Sequence, residues 1–67
     1  MADVLRNRLR EARAARGWTQ ADLAERVGVT RKTVNTVENS VFVPSTVLAL
    51  KMARALDMKV EDLFQLP

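Results

Sequence analysis

Apolar residues recur along most of this chain at intervals of three and four, the spacing of one helix face. Leu5, Leu9 and Ala12 form the first stripe, predicting a helix from about Asp3 to Ala15 with Gly17 as its stop. Leu23, Ala24 and Val27 form a second, opened by Thr19 and closed by Gly28. Thr19 and Asp22 stand at capping-box spacing, where hydroxyl and carboxylate each satisfy a free N–H. Val34, Val37 and Glu38 form a third stripe behind Thr30, a good N-cap. Asn39 to Pro44 reads as a loop, because Asn39 and Ser40 disfavour helix and Pro44 cannot continue one. Ser45 then caps a fourth helix to about Leu56, where Asp57 interrupts, and a short fifth spans about Val60 to Phe64. No strand alternation, repeat or low-complexity tract is visible. The expected fold is all-α, a compact bundle of five short helices in one domain over 1–67.

The second and third helices meet around Gly28. Two helices joined in this way form a helix-turn-helix, whose second helix can lie in the major groove of DNA. At about 100° per residue, Val34, Val37 and Glu38 share the inward side. Lys32 and Thr36 then fall opposite, with Thr33 and Asn35 flanking them. Arg31 sits nearer the inward side, at a first turn its long arm can reach around. All of these outward groups hydrogen-bond and none is acidic. Lys and Arg suit guanine O6 and N7, Asn can pair with adenine, and a Thr methyl can touch the thymine methyl. A solvated polar face has the same composition; its setting in a helix-turn-helix on a basic domain favours base reading. Gln20 is placed to offer its amide to a phosphate, while Trp18, between Gly17 and Thr19, suits a core rim better than a stacking platform.

Composition narrows the function further. The 67 residues carry a net charge of +3, which favours polyanionic partners. Arg6, Arg8, Arg10, Arg13 and Arg16 crowd the first segment, whereas Asp57, Glu61 and Asp62 lie near the end. Cys and His are both absent, removing thiolate metal sites, the commonest general base and the commonest metal ligand. An enzyme is therefore not expected, nor a cofactor or metal. No apolar run approaches membrane length and the arginine-rich start is no secretory signal, so a cytoplasmic protein with no membrane partner is expected.

With these residues in view, the chain resembles the Cro/phage-repressor (Xre-like) type of helix-turn-helix. The resemblance rests on Thr19-Gln20, Ala24, Gly28, Val34, Glu38-Asn39, Pro44-Ser45 and the closing VEDLF. It implies a lambda-repressor-like fold and a sequence-specific regulator of double-stranded DNA, usually dimeric on a palindromic operator. By position it assigns base reading to Arg31, Lys32 and Thr36, with Thr33 and Asn35 at base or backbone. Gln20 would meet phosphate and buttress the recognition helix; Thr30, Asn39 and Ser40 would lie near phosphate. Arg13 matches a family arginine that pairs with the glutamate at Glu38. Three positions depart from the pattern: Ser40 and Asp57 replace frequent glycines, and Val41-Phe42-Val43 replaces a polar loop that meets the DNA backbone.

Helix four is apolar over more than one face. Leu48, Met52 and Leu56 suit the core, leaving Val47 and Leu50, which with Val41, Phe42 and Leu66 could form an exposed patch. That patch is read as a homodimer surface, although a small core could absorb it. No small-molecule effector is evident, and repression by occlusion follows from the lack of room for another domain. The competing reading is an antitoxin-like or adaptor module that binds protein through residues 41–43 and helix four.

Overall fold

The computed structural model describes residues 4–67, so the predicted opening of the first helix at Asp3 lies outside them. The elements run β1 (Arg6–Asn7), α1 (Leu9–Ala15), α2 (Gln20–Val27), α3 (Arg31–Glu38), α4 (Thr46–Ala55), α5 (Val60–Leu63) and β2 (Phe64–Gln65). The five expected helices are present. The purely helical expectation is corrected by the strands, which pair antiparallel with Arg6 opposite Gln65 and Asn7 opposite Phe64.

Asn7 explains why α1 begins at Leu9 rather than near Asp3. Its Oδ1 accepts the Leu9 N–H at 3.1 Å, satisfying a donor that a longer helix would have used internally. Its Nδ2 donates to the carbonyls of Val37 and Glu38 at 3.0 and 3.2 Å. The chain before it is therefore extended, and the Arg8 N–H continues the pairing to the Leu63 carbonyl at 2.9 Å. Leu5 still packs against the core, but from this extended lead-in and not from a helix. Phe64, expected at the end of α5, belongs to β2 for the same reason.

Four helices end alike. Each passes into a residue of positive φ, namely Gly17 at 70°, Gly28 at 81°, Ser40 at 59° and Asp57 at 54°. In each case the next residue donates its N–H back five positions: Trp18 to Arg13, Val29 to Ala24, Val41 to Thr36 and Met58 to Ala53, at 2.9–3.0 Å. This Schellman arrangement satisfies carbonyls the helix leaves open. Ser40 and Asp57, which replace frequent glycines, take the same left-handed conformation at some cost to an L-residue.

Every helix contributes a fully buried side chain: Leu9, Leu23, Val34 and Val37, Met52, and Leu63. Burying one such side chain contributes about 1.5–3 kcal/mol. Ala24 is buried with Val34 where α2 packs on α3, and its small side chain permits the close approach. Met52 and Leu56 are buried as expected for α4, while Leu48 is half-buried. This packing turns one face of α3 into the core and leaves the other outside.

Candidate nucleic-acid interface

Local capping sets the start of α3. Thr30 is extended at φ −80° and ψ 157°, and its hydroxyl accepts the Thr33 N–H at 3.3 Å. The Thr30 and Thr33 hydroxyls also lie 3.1 Å apart. From this start the helix buries Val34 and Val37 and exposes Arg31, Lys32 and Asn35. Thr33 and Thr36 are half-buried. Thr36 Oγ1 donates to the Thr33 carbonyl at 3.0 Å, so its proton is used within the helix and its lone pairs and methyl remain for an outside group. The first turn carries no acidic residue, leaving the positive end of the helix uncompensated.

A chain of amides crosses the N-terminus of α2 and the outer side of α3. Gln20 Nε2 donates to Asn35 Oδ1 at 3.1 Å and to Glu38 Oε1 at 3.3 Å. Asn39 Nδ2 donates to the same Asn35 Oδ1 at 3.1 Å and to the Asn35 carbonyl at 3.0 Å. With its oxygen accepting twice, Asn35 presents its NH₂ as donors only. The two-point adenine pairing needs that oxygen as well, so this arrangement suits guanine, a thymine O4 or a phosphate instead. The Gln20 amide hydrogens are both committed to α3, and a phosphate would have to displace one of them. Asn39 and Ser40 are exposed beyond the helix, and Ser40 Oγ donates to the Leu5 carbonyl at 3.2 Å.

Behind the exposed face sits an ion pair. Glu38 keeps 1% of its side chain exposed and Arg13 13%. Arg13 Nε and Nη2 donate to the two carboxylate oxygens at 2.5 and 3.0 Å, and Nη1 donates to the Trp18 carbonyl at 2.7 Å. The hydrogen bonds to Glu38 raise the Arg13 pKa above its ordinary value; burial opposes this and the Glu38 charge adds to it. Arg10 stands 3.9 Å from the same carboxylate on the exposed side. Trp18 is half-buried at the rim, with the Arg26 guanidinium 4.1 Å and Arg16 5.3 Å from its ring centre.

The apolar residues of the predicted patch, Val41, Phe42, Val47, Leu50 and Leu66, are all exposed, together with Val43 and Val4. Val41 and Phe42 differ from the rest because they border α3 itself, with Lys32, Thr33 and Thr36. That placement escapes a reading of helical stripes, since a loop residue has no periodicity. Asn7 escapes it too in part. An Asn two positions before a helix is a recognisable cap, but its grip on the end of α3 spans about half the chain.

Comparison with known proteins agrees with this arrangement. A family model described as "Helix-turn-helix" matches residues 9–63. The chain is 48% identical over 62 residues to the HTH-type transcriptional regulator YgzD of Bacillus subtilis, covering 92% of this chain and 94% of that one. An HTH-type transcriptional regulator of Archaeoglobus fulgidus is 47% identical over 60 residues, covering 90% and 86%. Among solved structures, the restriction-modification controller protein C.AhdI from Aeromonas hydrophila superimposes with a TM-score of 0.78 at 43% identity, covering 84% of this chain and 85% of that one. A buried valine face, a left-handed Gly28 between α2 and α3, and these matches together make the chain a member of the Xre-like helix-turn-helix family.

Proposed function

We propose that this protein is a sequence-specific DNA-binding transcriptional regulator that inserts α3 into the major groove. The observation that carries the reading is the division of α3: Val34 and Val37 face the core, while Arg31, Lys32 and Asn35 face out without an acid among them. In this reading Arg31, Lys32, Thr33, Asn35 and Thr36 contact bases, and Gln20, Thr30, Asn39 and Ser40 lie along phosphates. Membership of a family of transcriptional regulators, rather than enzymes, supports it.

The regulator acts as a homodimer on a palindromic operator and represses by occupying it. The exposed Val47, Leu50 and Leu66 support a two-fold contact, which would set two recognition helices about one DNA turn apart, some 34–36 Å. Selection of bound duplexes from a random pool tests the reading. Enrichment of a palindrome is expected; no enrichment at low salt overturns it.

The exposed apolar residues of the loop 41–43 and of α4 favour one second reading, an antitoxin-like or adaptor module. Mutation separates the two. Lys32→Ala with Thr36→Ala should abolish operator binding and spare a protein complex, whereas Leu50→Asp should break the protein complex and, on the regulator reading, also weaken operator binding through loss of the two-fold contact.

A further inference from the structure

We propose that Val41 and Phe42 form a second reading element, which recognises the 5-methyl group of a pyrimidine (thymine in ordinary DNA) next to the base contacted by Lys32. The inference rests on the DNA-binding reading above and deepens it. Its starting point is an asymmetry among the four helix ends. The residue after each left-handed position is apolar, and such a residue usually packs back on its helix. Trp18, Val29 and Met58 do so and are half-buried, but Val41 is 78% exposed.

The loop that carries Val41 is nevertheless held firmly. The N–H groups of Val41 and Phe42 both donate to the Thr36 carbonyl, at 2.9 and 3.2 Å, and Ser40 N–H donates to Val37 at 3.1 Å. Ser40 Oγ ties the loop to Leu5. An apolar side chain fixed in this way loses little freedom when it meets a ligand. Val41 and Phe42 form one wall of an open groove of about 320 Å³ whose other wall is Lys32, Thr33 and Thr36.

A groove with an ammonium on one wall and carbon on the other matches a particular base-edge pattern. Guanine O6 and N7 accept from Lys, and the thymine C5-methyl is the apolar group on the major-groove edge. A second copy of the chain fits the same groove less well. The groove walls carry no carboxylate, so laying the groove on its own copy across a two-fold axis would offer Lys32 no opposite charge from those walls.

The test uses the operator duplex obtained by selection, with each thymine replaced in turn by deoxyuridine, which lacks only the methyl. The expected result is one position per half-site where the replacement weakens binding by about fourfold, the value of one methyl withdrawn from water. That penalty should largely vanish in Val41→Ala and in Val41→Asn, which is of similar size but has no methyl, with melting unchanged because Val41 is exposed. Cytosine at that position should bind more weakly than 5-methylcytosine by a similar factor. Indifference to deoxyuridine at every position, or an undiminished penalty in both variants, overturns the inference while leaving DNA binding intact. Loss of dimerisation in Val41→Ala with the penalty unchanged assigns the pair to a protein contact and overturns it as well. Failure of any duplex to bind removes the DNA-binding reading first, and this inference with it.

Discussion

Arg13 on α1 and Glu38 at the end of α3 lie 25 positions apart and share two hydrogen bonds inside the protein. The same carboxylate accepts from Gln20 at the start of α2, so it joins three helices. Its place on the inward side of a helix that meets a polyanion follows from this. A carboxylate on the outer side would repel phosphate, whereas here it is neutralised and fixes how α3 is presented.

Arg13→Ala should destabilise the fold by about 3–5 kcal/mol, because a buried carboxylate then loses its partner. Arg13→Met with Glu38→Leu should recover most of that loss. Urea unfolding of the two variants checks this; a double variant no more stable than Arg13→Ala would show that the cost lies in packing and not in the stranded charge.

The left-handed positions should respond in opposite directions. Nothing lies within 4 Å of a Cβ built on Gly28, so the cost of a side chain there is conformational, at φ 81°. Gly28→Ala should lower stability by about 1–2 kcal/mol, and Gly28→Val by more because branching at Cβ crowds that region further. Asp57→Gly should raise the melting temperature, since Asp57 already holds a φ of 54° that glycine adopts freely. An unchanged melting temperature in Gly28→Val would contradict the turn geometry.

Acid should loosen the start of α2. Hydrogen bonds from Thr19, its backbone N–H first and its hydroxyl second, hold the Asp22 carboxyl below the usual carboxylate range. The stabilisation this represents is complete above the ordinary value of about 4 and is lost as pH falls through the lowered one. Melting of wild type and Asp22→Asn from neutral pH downward should show a constant difference that closes in acid. A gap that widened in acid would reverse the sign and refute the assignment.

Operator affinity should fall steeply with salt, as Lys and Arg displace counterions from phosphate. Lys32→Ala should cost about 1–3 kcal/mol and relax preference at one or two base pairs. Fluorescence titration on operator and scrambled duplexes measures both. An equal loss on every sequence would move Lys32 from base edge to phosphate.

Much of this protein is written in local terms. The helices from α2 to α4 follow from stripes with a cap at one end and a stop at the other: Thr19 and Gly28, Thr30 and the Asn39-Ser40 pair, Ser45 and Asp57. Such signals act within one or two helical turns, so neighbouring residues suffice to read them. The buried valines of α3, and therefore its outward Lys32 and Asn35, follow from the same periodicity.

What lay beyond the sequence depends on residues far apart in the chain. Leu5 and Leu9 are spaced for one helix, yet pairing with Phe64 and Gln65 and the reach of Asn7 to Val37 draw the first of them into an extended segment. The donor-only state of Asn35 arises because Gln20, fifteen positions earlier, and Asn39 converge on one oxygen. The siting of Val41 and Phe42 beside Lys32 follows from a loop folding back on Thr36. Helical periodicity records which side of a rod is apolar. Which partner each polar atom meets is decided only when the rods are packed together, because a hydrogen bond needs two groups within about 3 Å whatever their separation along the chain.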